Sequence, residues 1–244
     1  IVNDDGIESP ATQALARAFG RISETVLVAP NEDWSGSSNY MASFTQRQYK
    51  VEARAIGPGV EAWALEGSPA DCVLFALLGP MGESPPDLVV SGVNSGPNDA
   101  DAWFWSGTLG AARTATFFGR VPAIAVSGVA NDDPESVAGV VEWVVKLAQS
   151  EVVRELRAPA YLSVDLPVGP PEEIRGIAFA DRARGHWRDS GRLTGSATQD
   201  SLDPSIWSIV LGIDPQSPPE GSDVAALRNG YIVVTPMRVG DDDL

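Results

Sequence analysis

Two adjacent carboxylates follow immediately on an apolar pair, where Ile1-Val2 runs into Asn3-Asp4-Asp5-Gly6. This order reads as the end of a short buried strand and a tight turn, with glycine supplying the backbone freedom. Carboxylates held close together beside apolar neighbours drive one pKa upward, whereas a hard divalent ion bound through oxygen keeps both ionised. Ser9-Pro10 has the order of a helix N-cap and a proline at the first helical position, so the segment reads strand, acidic turn, helix. An acidic surface turn explains the tetrapeptide alone equally well, and the rest of the chain must decide. No methionine precedes Ile1, and Ile1-Val2 is read as the tail of a first strand.

Apolar runs alternate with helical stretches through residues 1–150. Strands are expected near 1–3, 25–29, 61–65, 87–91 and 122–127. Helices are expected over Pro10–Phe19, from Ser68-Pro69-Ala70-Asp71 to Leu78, from the cap Ser106 to Phe118, and from Asp133-Pro134-Glu135 to Gln149. Such βαβ alternation predicts an α/β fold, a doubly wound and mostly parallel Rossmann-like sheet. From about 159 to 244 the pattern changes to strands at 161–165, 174–180, 206–211 and 231–235, a helix at 222–228, a Gly- and Arg-rich loop before 206 and a proline-rich loop over 212–221. This part is read as completion of the sheet or as a hairpin and helix arm for oligomerisation, within a single domain spanning 1–244. Asp241-Asp242-Asp243 is expected to be a solvated tail.

A chain of 244 residues with 43% hydrophobic content can bury the core of one large α/β domain. Its 17 basic and 33 acidic residues give a net charge of −16, which repels nucleic-acid duplexes and anionic membranes. An anionic small substrate therefore needs a local positive source, which a bound metal or a helix N-terminus supplies. The single cysteine, Cys72, excludes a disulfide framework and is read as a core residue. No run of 18 apolar residues and no signal-peptide pattern is present, and a cytoplasmic location is the expectation.

Parallel α/β sheets bind ligands beyond the carboxyl ends of their strands. Asp4-Asp5, the stretch Asn31–Ser37 and the stretch Ser91–Asn98 all fall on that rim. Asp4, Asp5, Ser35 and Asn94 offer oxygen ligands only, a set suited to Mg2+, Mn2+ or Ca2+. Ser106-Gly107-Thr108 opens a helix whose first N–H groups can face an anion, with Asn98 nearby, although Ser106 also reads simply as an N-cap. No phosphate-binding Gly-x-x-x-x-Gly-Lys-[Ser/Thr], no Gly-x-Gly-x-x-Gly after the first strand and no Gly-x-Ser-x-Gly elbow occurs. The sole histidine, His186, is read as a surface loop residue, although its position beside Arg182, Arg184 and Arg188 leaves open a minor role in holding substrate. A receiver-type signalling module would need a phospho-accepting aspartate and a lysine on rims that here carry Ser91, Asn94 and Ser127.

Taken with Ala29-Pro30, Trp34–Ser38, Gly67–Cys72, Ser91–Asn98, Ser106–Ala112 and Gly230-Tyr231 leading to Thr235-Pro236, the acidic turn makes the chain resemble the SurE family of metal-dependent 5′/3′-nucleotidases and acid phosphatases. The resemblance implies one divalent metal, Mg2+ or Mn2+, held by Asp4, Asp5, Ser35 and Asn94. It implies phosphate contacts from Asn98, Ser106, Gly107 and Thr108, and homodimers or homotetramers joined through the C-terminal arm. The implied reaction is hydrolysis of nucleoside monophosphates, with Asp4 or Asp5 positioning water or accepting its proton, or attacking directly. A broad acid phosphatase and a non-catalytic nucleotide-binding protein remain the alternatives on the same fold. Val2, Trp34 and the run Ala102-Trp103-Phe104-Trp105 depart from the family pattern. Trp103 or Trp105 is read as a stacking surface for a nucleobase, or else as packing.

Overall fold

The computed structural model describes residues 1–129, 133–167, 171–187, 192–214 and 217–240. Ten strands are assigned: β1 (Thr25–Pro30), β2 (Val51–Ala53), β3 (Val60–Leu65), β4 (Val89–Ser95), β5 (Ala123–Val129), β6 (Ala160–Asp165), β7 (Gly176–Phe179), β8 (Arg192–Gln199), β9 (Trp207–Asp214) and β10 (Tyr231–Arg238). The helices are α1 (Pro10–Phe19), α2 (Pro69–Leu78), α3 (Gly107–Thr114), α4 (Pro134–Ala148), α5 (Glu151–Glu155) and α6 (Asp223–Arg228).

Two sheets, ordered β1-β3-β2 and β4-β5-β6-β10-β7, are joined edge to edge by Ile1 and Val2. Ile1 N donates to Val26 O at 2.6 Å and Ile1 O accepts from Val28 N at 3.0 Å, while Val2 exchanges bonds of 3.0 and 2.7 Å with Val90 O and Gly92 N. The expected first strand is thus a parallel bridge between β1 and β4 rather than a regular strand, but it occupies the central slot of a Rossmann-like α/β sheet. Pairing is parallel from β1 to β3 and along β4-β5-β6, antiparallel where β2 meets β3 and where β10 meets β6, and parallel again from β10 to β7. Below Ile1, at the end of the strands away from the acidic turn, the slot continues as an apolar cavity of about 590 Å³ lined in part by Phe19, Val26, Leu77 and Leu88.

Both faces of β5 are buried, which is why its first four residues, Ala123-Ile124-Ala125-Val126, are all apolar. Ile124 and Val126 pack with Leu15 of α1 and Val144 of α4, whereas Ala123 and Ala125 face Leu109, Ala111 and Ala112 of α3. Alanine on that side lets α3 approach closely, so enlarging Ala125 overpacks the layer at a cost of roughly 1–3 kcal/mol. Cys72 lies in the same layer, fully buried as expected. The local signals for helix starts hold: Ser9 caps α1, and Ser68 and Asp71 form a reciprocal box on α2. Asp71 also accepts from the Ala42 and Ser43 N–H groups and the Tyr49 hydroxyl, fastening the long loop before β2.

Three expectations change. The helix expected from Ser106 to Phe118 is α-helical only to Thr114 and ends in a π-helical turn over Ala115–Gly119. The Gly- and Arg-rich stretch read as a loop contains β8, which pairs with β9 as a separate antiparallel ribbon; β9 runs on to Asp214, so the proline-rich loop starts later than 212. Leu202 and Ile209 of this hairpin are 94% and 80% exposed, and residues 195–210 have no buried face that would impose an apolar alternation. The tail at 241–243 and Arg188 lie outside the described residues. No helix among the described residues is long and apolar enough to cross a membrane.

Candidate active site

Gly6 makes the acidic turn possible. Its φ of +92° lets the chain reverse so that Ile7 N donates to Pro30 O at 2.7 Å. Asn3, buried beneath, donates through Nδ2 to Gly6 O and to Thr12 Oγ1 at 2.9 and 2.7 Å, tying the turn to α1. Asp4 is thereby held inside, 2% exposed, while Asp5 is only partly buried.

The Asp4 carboxylate meets the first turn of α3. Thr108 donates its hydroxyl to Asp4 Oδ1 at 2.7 Å and its backbone N–H to Asp4 Oδ2 at 3.1 Å. Gly107 is required for this approach: a Cβ there would lie 2.8 Å from Asp4 Oδ2 and 2.9 Å from both Asp4 Cβ and Ser37 Oγ. Burial pushes the Asp4 carboxyl above its usual range; the Thr108 hydroxyl and N–H pull it back, and the Asp33 charge pushes it up again.

One main-chain and one side-chain acceptor of this turn bind the segments that carry the other two candidate ligands. Asp4 O accepts from Trp34 N at 2.8 Å, which places Ser35 next to the turn, and Asp5 Oδ2 accepts from Ser95 N at 3.3 Å, which places Asn94 there. β4 runs four residues beyond its expected end, with register shifts on either side of Asn94 that set this residue opposite Ser127 of β5. Asn94 Nδ2 donates to Gly96 O and Ser95 O at 2.9 and 3.2 Å, so its amide oxygen is turned away from those carbonyls. Ser35 is exposed, and its N–H donates to Asp33 Oδ1 at 2.7 Å. The bonds of Trp34 and Ser95 thus bring the segments that carry Ser35 and Asn94 to the turn that carries Asp4 and Asp5. No group of three or more His, Cys, Asp or Glu side chains among the described residues could hold a metal ion, so any ion here would depend on hydroxyl and amide oxygens beside the two aspartates. The donor set fits a hard cation: buried carboxylate charge, neutral oxygens and no soft ligand.

The remaining expected residues lie on the same rim with distinct tasks. Asn98 Nδ2 donates to Ser127 Oγ at 2.7 Å and lies 3.5 Å from Thr108 Oγ1. Ser106 Oγ caps α3 by accepting from Leu109 N at 3.1 Å, which leaves its own O–H as a donor. Thr108 spends both of its donors on Asp4, and the Gly107 N–H, first of the helix, has no intrahelical acceptor. Trp103 is packed against the core with the Arg113 guanidinium 5.8 Å from its ring centroid, whereas Trp105 pairs with Trp187 at 5.3 Å.

His186 is not a surface residue. It and Arg182 are 6% and 8% exposed, because Asp101 accepts from Gly185 N and Trp187 N at 2.6 and 2.7 Å and Asp223 accepts from Ala183 N at 2.8 Å, folding residues 182–187 onto the segment after β4. Residue-type reading missed Asp165, which ends β6 on the same rim; an acidic residue closing a buried strand is the signal that marked Asp4.

The family model described as Survival protein SurE matches residues 1–189. A protein named 5′-nucleotidase SurE from Chloroflexus aggregans is 33% identical over 256 residues, covering 98% of this chain and 92% of that protein. One of the same name from a Marinomonas species is 35% identical over 241 residues, with 98% and 90% covered. The crystal structure of the SurE protein from Aquifex aeolicus superposes with a TM-score of 0.74 at 30% identity, covering 99% of this chain and 94% of that one.

Proposed function

The chain belongs to the SurE family, and from that premise we propose that it is a metal-dependent phosphomonoesterase that releases phosphate from nucleoside monophosphates. The observation that carries this reading is the meeting of Asp4 with the first turn of α3, beside Asp5, Ser35 and Asn94. Family membership and the name 5′-nucleotidase carried by the relatives support the substrate class.

Asp4, Asp5, Ser35 and Asn94 would hold one divalent ion, Mg2+ or Mn2+. Once bound, such an ion supplies Lewis-acid polarisation of the phosphoryl oxygens. The chain's own residues do the rest. The Gly107 N–H, the Ser106 hydroxyl and the Asn98 amide bind and orient the phosphoryl group, with the N-terminal end of the α3 dipole steadying its charge. Thr108 fixes both Asp4 oxygens, so Asp4 serves as a rigid ligand. Asp5, less buried, accepts the proton of the attacking water as its oxygen bonds to phosphorus, and passes it to the departing ester oxygen as the P–O bond breaks, so that the alcohol and phosphate leave. Trp105, paired with Trp187 next to Ser106, offers the nucleobase a stacking face. The β8–β9 ribbon, with its exposed apolar side chains, is the arm through which subunits join, and the location is cytoplasmic.

Release of inorganic phosphate from nucleoside 5′-monophosphates, with metal stripped and restored, tests the reading. Activity that returns with Mg2+ or Mn2+ and is lost in Asp4→Asn supports it. Turnover indifferent to metal, or intact in that variant, removes it.

A further inference from the structure

The peptide flanks of Asn98 are gripped by two buried charged side chains that the sequence resemblance does not carry. Its N–H donates to Asp165 Oδ1 at 2.6 Å, and its C=O accepts from Arg182 Nη1 at 2.7 Å. The same guanidinium reaches Ala100 O at 3.0 Å and, through Nη2, Ser163 Oγ at 2.9 Å. Asp223, the first residue of α6, adds a third hold by accepting from Ala100 N at 2.8 Å. Asp165 is 1% exposed and Arg182 8%. Buried charges are costly to maintain, and uncharged residues of similar size often stabilise a fold as well or better. What this pair supplies is a fixed direction: with N–H and C=O both held, the Asn98 side chain leaves the main chain at one angle, and Ser127 Oγ at 2.7 Å takes one Nδ2 hydrogen, which leaves the other, 3.5 Å from Thr108 Oγ1, to donate to a phosphoryl oxygen.

We propose that Asp165 and Arg182 are positioning residues of the active site, which aim the Asn98 amide at the phosphoryl group by clamping its peptide from both sides. The proposal rests on Asn98 as a phosphate contact. Arg182 comes from the segment after β7 and Asp165 from the end of β6, so the aim of one phosphate contact depends on the C-terminal part of the fold. A guanidinium suits this role because its planar fork serves three acceptors at once, which the single ammonium of a lysine cannot reproduce.

The test compares kcat and KM for a nucleoside 5′-monophosphate, and inhibition by inorganic phosphate, in metal-loaded wild type, Asn98→Ala, Asp165→Ala, Asp165→Asn, Arg182→Lys and the double variant Asn98→Ala/Asp165→Ala. Asp165→Ala and Arg182→Lys should weaken phosphate inhibition and raise KM by about tenfold, the size expected for one misplaced charge-assisted bond. Asp165→Asn should restore wild-type values, because its amide oxygen still accepts the Asn98 N–H. The double variant should be no weaker than Asn98→Ala alone, since both changes act through one contact. Unaltered phosphate inhibition in Asp165→Ala and Arg182→Lys, or additive losses in the double variant, would overturn the proposal while leaving Asn98 as a contact. Lower thermal stability with normal KM and inhibition would mark the pair as scaffold only, and also overturns it. Should Asp165→Ala fail to fold, Arg182→Lys carries the test alone. An Asn98→Ala enzyme inhibited by phosphate as strongly as wild type would instead strike the underlying reading of Asn98.

Discussion

Replacing Gly107 with alanine separates a structural helix start from a metal site. Gly107 opens α3, and alanine at a helical position is favoured over glycine by about 1 kcal/mol on propensity alone. The new methyl group, however, would sit 2.8 Å from Asp4 Oδ2 and 2.9 Å from Asp4 Cβ and Ser37 Oγ, well inside van der Waals contact. The carboxylate must move, which sacrifices one or both of its bonds to Thr108, of 2.7 and 3.1 Å. A hydrogen bond to a charged group contributes about 1.5–3 kcal/mol, so after the propensity gain the net loss of stability should be about 0.5–2 kcal/mol if one bond is lost and about 2–5 kcal/mol if both are. Metal affinity should suffer far more, because a shifted ligand or ligand support typically costs about 10–100-fold. Mn2+ titration by calorimetry and urea unfolding of the same sample give both numbers, and Gly240→Ala, whose methyl group would meet no atom within 4 Å, is the control. A Gly107→Ala protein that binds Mn2+ as tightly as wild type would refute the claim that Asp4 is a ligand placed by α3.

Further outcomes follow from the same geometry. Burial raises the Asp165 carboxyl to about 6, against an opposing pull from the Arg182 guanidinium and the Asn98 N–H. Relative to about 3.9 in the unfolded chain, this shift makes the charged form cost up to about 3 kcal/mol at neutral pH. The sign follows: the folded state binds more protons, so stability rises as pH falls through 6 and levels off below about 4. Urea midpoints of wild type should therefore gain on those of Asp165→Asn as pH drops, and parallel curves would contradict the shift. Thr108→Val keeps the shape but removes the donor to Asp4 Oδ1, and should lower stability by about 1.5–3 kcal/mol in chemical denaturation. Trp105→Ala should raise KM for nucleoside monophosphates by about 5–150-fold, a stacking loss of about 1–3 kcal/mol, and leave a base-free phosphate ester unaffected. Equal effects on both substrates would reduce Trp105 to a packing partner of Trp187.

The sheet was legible, and the acidic-turn residues could be placed on one rim, because their signals are local. Alternation of apolar runs with capped helices marks βαβ units, and Asp4, Asp5, Ser35 and Asn94 each follow or end a strand on the one rim where parallel sheets bind ligands. What stayed hidden depends on partners distant in sequence. Arg182 and His186 sit in a polar stretch that looks like surface, and its burial depends on distant partners such as the carboxylates of Asp101 and Asp223, 84 and 40 residues away from the N–H groups of Gly185 and Ala183. Thr108 reads as a phosphate donor in a helix-opening motif; its actual partner, Asp4, is 104 residues away. β8 escaped notice because Thr, Ser and Gly on an exposed ribbon leave no period-2 pattern of burial.

In the proposed function, oxygens of the acidic turn, of the segment after β1 and of the end of β4 converge on a single hard cation. Anomalous diffraction from crystals soaked in Mn2+ measures this directly. One peak within about 2.0–2.6 Å of oxygens from Asp4, Asp5 and Asn94, with Ser35 beside it, is the expected result. A peak elsewhere with this rim empty, under conditions in which the crystals remain active, would contradict it.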